Sequence, residues 1–379
     1  MLIILSLTWI LTAPYVVLIL AYRYGWHAQP ERHTGNLFQP KTRISVLIPA
    51  RNEEENIGNC IRSILANEYP SQLFEIIVID DHSEDNTRKV VESFNHPNVR
   101  CLELRAFLNG ALLNSYKKKA LETGVAQSTG ELIVTTDADC VAGKKWLTSM
   151  AALYEEKHPV MIVAPVAFTN DGSLLQHFQS LDFMSMQGIT VAAHRLKLGS
   201  MSNGANLAFS KEAFYAVEGY KGVDHLASGD DFLLMVKLQQ QFPGRIECLV
   251  SQEAVVQTAP QPDWKSFLNQ RVRWASKSGK YDDKRLTAVL MLVYLFNCLH
   301  LFLCFAGFVN SLCWLLLAGV LMLKIAVELW FLFPVARFFG KERELFWFPF
   351  LQPLHLVYIV IAGFLGFRGK YRWKGRSVK

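Results

Sequence analysis

Twenty-one consecutive residues, Leu2 to Tyr22, carry no charge. As a helix rising about 1.5 Å per residue, such a run is long enough to cross a hydrocarbon core of about 30 Å. A signal peptide fits less well: no basic residue precedes the run, it exceeds a usual signal core, and no small-x-small cleavage site follows it. Arg23, Arg32, Lys41 and Arg43 come next, and the positive-inside rule places the region after the helix in the cytoplasm. Two more apolar blocks stand towards the other end. Leu286 to Ala336 holds 51 residues with only Lys324 and Glu328 charged, enough for two passes turning near Asn310 and Ser311. Leu345 to Phe367 has no formal charge.

Three crossings after a cytoplasmic region would leave the C-terminal residues outside. Those residues carry the strongest inside signal: Arg368, Lys370, Arg372, Lys374, Arg376 and Lys379, with no acid among them. One apolar segment is therefore expected not to cross. Pro349, Pro353 and His355 make the third block the better candidate for a re-entrant or interfacial element, although the Lys324 and Glu328 pair weakens the second pass too.

The chain is 51% hydrophobic and 19% charged, outside the range of an ordinary soluble domain. Lys plus Arg number 39 against 33 acids, and the six basic residues of the tail account for the whole excess. A short basic tail behind an apolar segment suits anionic headgroups or a phosphorylated ligand, and no nucleic-acid partner is expected. Seven cysteines show neither a C-x-x-C pair nor the His spacing of zinc sites, and read as reduced, mostly buried thiols.

The region between the blocks has the alternation of an α/β domain. Ile44 to Pro49 reads as a buried strand, followed by Ile57, Cys60, Ile61, Ile64 and Leu65 at helical spacing. Phe74 to Asp80, Val99 to Leu104 and Leu132 to Thr136 continue the strands, with a helix over Tyr116 to Ala126. This repeat predicts a mainly parallel sheet with ligands at the carboxyl ends of its strands, where the polar clusters fall. The expected organisation is a transmembrane helix over 1–22, a cytoplasmic domain over 23–285 with an interfacial helix near 264–280, a membrane region of two or three helices over 286–367, and a basic tail over 368–379.

The clusters are Pro49-Ala-Arg-Asn-Glu-Glu54 and Asp80-Asp-His-Ser-Glu-Asp-Asn-Thr87, then Lys117-Lys-Lys-Ala-Leu121 with Gly124, Thr136-Asp-Ala-Asp139, Gly229-Asp-Asp231 and Gln270-Arg-Val-Arg-Trp274. In this order they resemble the motifs of family 2 inverting glycosyltransferases, the last matching the QxxRW of the membrane-bound branch. Trp373-Lys-Gly-Arg376 is similar to the tail of lipid-directed members. The resemblance covers roughly residues 41 to 280. It implies a GT-A-like catalytic domain, Rossmann-like with a mainly parallel sheet, joined to transmembrane α-helices.

Each cluster has a plain reading beside the one the resemblance implies. In Asp137-Ala-Asp139 the period of two puts both carboxylates on one side of an extended backbone, suited to a divalent cation bridging a diphosphate. The resemblance implies Mg²⁺ or Mn²⁺ on Asp139, with Asp137 on the donor; the plain alternative is a solvated loop. Asp80 and Asp81 could cap the next helix. The resemblance instead places Pro49, Asn52, Glu53, Asp80 and Asp81 around the donor, with Asn52, Glu53 and Asp81 holding uracil and ribose. Lys117 is either part of an exposed basic face or, as the resemblance implies, a nucleotide contact, although Tyr116 and Glu122 depart from the family's glycine and asparagine.

Asp230 and Asp231 could simply complement a helix dipole, with Phe232, Leu233, Val236 and Leu238 on the buried side. The resemblance makes Asp231 the general base, with Asp230 its alternate. Gln270, Arg273 and Trp274 either belong to a basic amphipathic helix with Lys265, Arg271, Lys277 and Lys280, or serve the acceptor and the leaving diphosphate. Ser202-Asn-Gly-Ala-Asn206 either lines the acceptor side or is a loop. The implied activity is transfer from a nucleotide sugar, of UDP type, to a lipid or lipid-linked acceptor, by an integral protein of the inner membrane with its catalytic domain in the cytoplasm. A processive polysaccharide synthase and a catalytically dead membrane scaffold are the alternatives.

Overall fold

The computed structural model describes residues 1–379 except 36, 109–113, 171, 200, 227, 277–283, 368–370, 374, 375 and 379. The chain forms two compact units, one of residues 30–169 and 201–259, the other of residues 1–29, 170–200 and 260–379.

In the first unit, the short aliphatic runs become strands covered on both faces, as a parallel sheet requires. A seven-stranded sheet runs in the order Val99–Glu103, Phe74–Asp80, Ile44–Ala50, Leu132–Thr135, Leu207–Ser210, Met161–Val163 and Ile246–Cys248. The first four are mutually parallel, and Leu207–Ser210 runs against both of its neighbours. Ile44 stands opposite both Phe74 and Leu132, so these strands deliver their carboxyl ends to one edge. Ile44, Val46, Leu47 and Ile48 are fully buried there, and the Tyr116–Gln127 helix packs closely on this part of the sheet: a Cβ on Gly124 would fall 3.0 Å from the Leu47 and Ile79 side chains. A second sheet places Val256–Thr258 between Cys140–Ala142 and Val166–Phe168. In the Asp230–Gln241 helix the buried side is Phe232, Leu234, Met235 and Leu238. The stripe follows 3.6-residue spacing through 234, 235 and 238, which turns Leu233 and Val236 away from the core, contrary to the sequence expectation.

The second unit holds the helices Leu2–His27, Leu174–Leu196, Trp264–Ala275, Lys284–Ala306, Leu312–Phe338 and Phe348–Phe367. Four stretches, Leu2–His27, Lys284–Ala306, Leu312–Phe338 and Glu342–Gly366, are long and apolar enough to cross a membrane. Of the region expected as one domain over 23–285, residues 23–29, 170–200 and 260–285 thus belong to this unit. Close packing holds the 170–200 segment there: a Cβ on Gly25 would fall 2.8 Å from the Ala192 carbonyl oxygen, and one on Gly188 would fall 2.8 Å from the Val335 side chain. The helix expected near 264–280 is present over Trp264–Ala275, while Lys277 and Lys280 lie outside the described residues.

Lys324 and Glu328 do not interrupt the Leu312–Phe338 helix, because they satisfy each other. The Lys324 ammonium lies 2.8 Å from Glu328 and 2.8 Å from the Gln352 amide oxygen, Gln352 donates to Glu328 at 3.1 Å, and the Tyr15 hydroxyl also donates to Glu328. The prolines of the last block are likewise tolerated. Pro349 occupies the first turn of Phe348–Phe367, where its missing N–H has no intrahelical partner to lose, and the helix continues through Pro353. Its far end returns to the Trp264–Ala275 helix: a Cβ on Gly366 would fall 2.6 Å from that of Ala275.

Candidate active site

The first two parallel strands end in loops that bind each other. Asn52 donates from its backbone to the Ser83 hydroxyl at 3.0 Å, and its side-chain oxygen accepts from the Glu84 N–H at 2.8 Å. Glu53 N–H meets the Thr87 hydroxyl at 2.7 Å, and Glu54 exchanges bonds with Asp85 and Asn86. Asn52 and His82 both hold positive φ, 52° and 57°, a strained backbone held in place by these bonds. Pro49 stays in the ladder opposite Ile79.

Asp80 and Asp81 are buried at the end of the second strand. Asp80 accepts from the Ser83 N–H at 3.3 Å, and Asp81 faces the His82 ring at 2.9 Å. Neither caps the Thr87–Glu92 helix: Asp85 accepts the Thr87 N–H at 2.9 Å. The plain reading of the two aspartates as a helix cap is thereby removed.

Four motif residues from three separate segments meet nearby. The Lys117 ammonium lies 2.8 Å from Asp137 and 3.4 Å from Asp230. Burial works against its charge, but Asp137, Asp230 and Asp231 outweigh it and the ammonium's pKa is raised. Asp231 accepts the Gly204 N–H at 3.2 Å on one oxygen and the Phe232 N–H at 2.8 Å on the other, which fixes the carboxylate's plane. Gly204 belongs to the Ser202-Asn-Gly-Ala-Asn206 segment, and a Cβ there would fall 3.2 Å from Asp230 and 3.5 Å from the Lys117 ammonium. Within that segment Asn206 is structural, bonded to Pro165 and Ala254 carbonyls and to the Trp146 indole.

The Asp137-Ala-Asp139 segment is not extended as the period of two suggested. The strand ends at Thr135, and Cys140 N–H closes a turn onto the Asp137 carbonyl at 3.1 Å. The chain must turn here to enter the second sheet at Cys140. Asp139 is exposed and Asp137 half-exposed, so the cost of burying a carboxylate pair is no argument for a cation. The chemistry of the donors still fits one. Magnesium-type ions are held by one or two carboxylates completed by phosphate oxygens and water, not by an all-protein cage. Among the described residues no group of three or more candidate ligands is gathered. Cys60 and Cys140 flank the turn, and burial, with Asp139 and Asp137 nearby, pushes both thiols up, leaving them protonated.

Lys118 was not singled out from sequence, where three lysines read as an exposed face. It is buried, and its ammonium takes the carbonyls of Val223 at 3.1 Å, Ser228 at 3.2 Å and Leu226, in the loop that leads to Asp230. The signal was available: Leu121 and Val125 follow Lys118 at three and seven residues, on the buried face of the Tyr116–Gln127 helix.

Gln270, Arg273 and Trp274 lie on the Trp264–Ala275 helix of the helical unit. Gln270 accepts from the Arg271 guanidinium at 2.6 Å, and that guanidinium stacks over the Trp274 ring at 4.3 Å.

The family described as Glycosyl transferase family group 2 matches residues 132–362, more than half of the chain, and Glycosyl transferase family 2 matches residues 45–217. The poly-beta-1,6-N-acetyl-D-glucosamine synthase of Staphylococcus epidermidis is 28% identical over 243 residues, 61% of this chain and 53% of that protein. The undecaprenyl-phosphate 4-deoxy-4-formamido-L-arabinose transferase of Proteus mirabilis is 30% identical over 125 residues, 33% of this chain and 37% of that one. The chain spans about half or less of the length of the curated relatives it matches. Among solved structures, the mannosyltransferase PcManGT from Pyrobaculum calidifontis, in complex with GDP-Man and Mn²⁺, superposes with a TM-score of 0.60 at 18% identity, covering 95% of this chain and 99% of that one. The fold is therefore a GT-A domain with apolar helices of membrane-spanning length.

Proposed function

The chain belongs to glycosyl transferase family group 2, and we propose that it is a membrane-bound inverting glycosyltransferase that moves one sugar from a nucleotide sugar, of UDP type, to a lipid or lipid-linked acceptor. The observation that carries this reading is the meeting of Lys117, Asp137, Asp230 and Asp231 around Gly204. A cation and an anchored pair of acids stand where the loops of a parallel sheet present them, the place such sheets bind ligands.

In this reading Asn52, Glu53, Asp80 and Asp81 hold the base and ribose. Asp231, whose plane is fixed by two N–H donors, takes the proton of the acceptor hydroxyl as its oxygen attacks the anomeric carbon. The bond from that carbon to the diphosphate breaks on the opposite face, so configuration inverts. Lys117 keeps its charge and is placed to attract the donor's phosphates. Asp139 would hold a Mg²⁺ or Mn²⁺ ion, which would supply charge neutralisation at the departing diphosphate, with Asp137 on the donor. Arg273 is assigned to that diphosphate and Trp274, with Gln270, to the acceptor, on the strength of the motif.

The apolar helices and the name of the Proteus mirabilis relative support a lipid-linked acceptor. Basic residues after the first helix support a cytoplasmic catalytic domain in the inner membrane. The seating of Gly366 on Ala275 supports a last helix that re-enters instead of crossing, which keeps the basic tail on the face of the motif helix. Processive synthesis is the second reading, favoured by the Staphylococcus epidermidis relative. Incubating membranes with a panel of radiolabelled nucleotide sugars and extracting the lipids decides between them. A single labelled lipid supports the first reading, a labelled polymer the second, and no transfer from any donor overturns both.

A further inference from the structure

Within the helical unit, Asp182 and Arg271 are almost completely enclosed, with 4% and 3% of their side chains exposed. One carboxylate oxygen of Asp182 takes the Arg271 Nε–H at 2.8 Å and lies 2.7 Å from Nη2. The other accepts the Tyr358 hydroxyl at 2.6 Å, with the His355 ring 3.8 Å away. A single carboxylate thus ties the Leu174–Leu196 helix to the motif helix and to the last apolar helix. The guanidinium lies between the Phe267 and Trp274 rings, 4.7 and 4.3 Å from their centroids, and its remaining arm donates to Gln270.

A buried ion pair is weak support for stability, since apolar side chains of the same volume hold helices together as well or better. What apolar residues cannot do is fix the plane of a guanidinium. Here that plane sets both the Gln270 amide and the Trp274 ring, two of the three motif side chains. We propose that Asp182 is a positioning residue for sugar transfer: acting through Arg271, it fixes the orientation of Gln270 and Trp274 towards the acceptor. This rests on the proposed transferase reading of the motif helix.

The test uses the full-length protein in its membrane or in detergent, with undecaprenyl phosphate and, in parallel, a total membrane lipid extract as acceptors. Asp182→Asn keeps the shape and loses the charge. It is expected to lower kcat/KM for the acceptor roughly 10- to 100-fold, the size of an ångström-scale misplacement, while nucleoside diphosphate with Mg²⁺ binds within twofold of wild type. Asp182→Glu should recover part of the loss. Arg271→Lys, which keeps the charge without the fork, should reproduce it, and Tyr358→Phe should show a milder version. Wild-type acceptor kinetics in Asp182→Asn overturn the proposal, as does a loss shared equally by nucleotide binding and acceptor use. If Asp182→Asn does not fold, unchanged acceptor kinetics in both Arg271→Lys and Tyr358→Phe overturn it. A wild-type protein that transfers no sugar brings down the transferase reading and this inference with it, whereas an active wild type with an unaffected Asp182→Asn brings down the inference alone.

Discussion

In the sheet unit the Lys117, Asp137 and Asp230 side chains keep 23%, 39% and 11% of their surface exposed; in the helical unit Arg271 and Asp182 keep 3% and 4%, and Lys324 none. Both units pair opposite charges, but the surroundings differ. An ammonium shared among three partly wet carboxylates can exchange a carboxylate for a phosphate, because water and the remaining acids still solvate what is released. A guanidinium or ammonium sealed among helices has no such alternative partner, and removing its carboxylate strands a charge. The first arrangement suits binding and release, the second suits holding a shape.

If this contrast is right, single substitutions should separate the two units by what they change. The largest effect on transfer is expected from Asp231→Asn: sugar transfer slower by 10²-fold or more, the usual scale of a general base, with nucleotide binding intact. Asp230 is adjacent and could partly substitute, so Asp230→Asn/Asp231→Asn is assayed alongside; transfer surviving in both variants would remove the catalytic role from this pair, whereas a cellular function kept by both variants without any transfer would favour the scaffold alternative. Next, Asp139→Asn should weaken metal-dependent donor binding roughly 10- to 100-fold, the range for disturbing a metal site, with the fold unchanged since the side chain is exposed. A nucleotide-sugar titration with Mg²⁺ or Mn²⁺ that matches wild type would take the cation away from this turn. A smaller effect belongs to Lys118→Met. Removing the ammonium leaves the Val223, Leu226 and Ser228 carbonyls without this donor and loosens the approach to Asp230, lowering kcat roughly 10-fold without altering donor affinity. Equal loss in kcat and donor affinity would mean that Lys118 supports the whole unit and not this loop.

The contrast was only half legible in the sequence. Strands such as Ile44–Ala50 could be read because a run of aliphatic residues has few other uses in a soluble unit, and the motif aspartates stood at their ends. The turn at Asp137–Asp139 could not, because the chain bends there to join a sheet whose strands, Cys140–Ala142, Val256–Thr258 and Val166–Phe168, are too short for periodicity to show. Asp182 was missed for a different reason. Its partners Arg271 and Tyr358 stand 89 and 176 residues away, and nothing local to a helix reveals a contact at that separation. The Lys324–Glu328 pair was visible, yet by itself it weighs against a membrane pass, and the Tyr15 and Gln352 side chains that complete it are not near it in the sequence.

That four-residue group offers the prediction with the smallest effect on transfer. Glu328→Gln should leave the rate per folded molecule unchanged while destabilising the protein by about 3–5 kcal/mol, the cost of stranding one member of a buried pair. Replacing Lys324 and Glu328 alone by apolar residues would not cure this, because the Tyr15 hydroxyl and Gln352 amide would lose their partners. Replacing all four together, as Tyr15→Phe, Lys324→Met, Glu328→Met and Gln352→Met, removes every unpaired group and should restore thermal stability in detergent to near wild type. If the fourfold variant is as unstable as Glu328→Gln, the charges contribute more than mutual satisfaction. If it is stable but slow, the sealed group takes part in transfer, and the division between a partly wet charge cluster that binds and a sealed one that holds fails at that point.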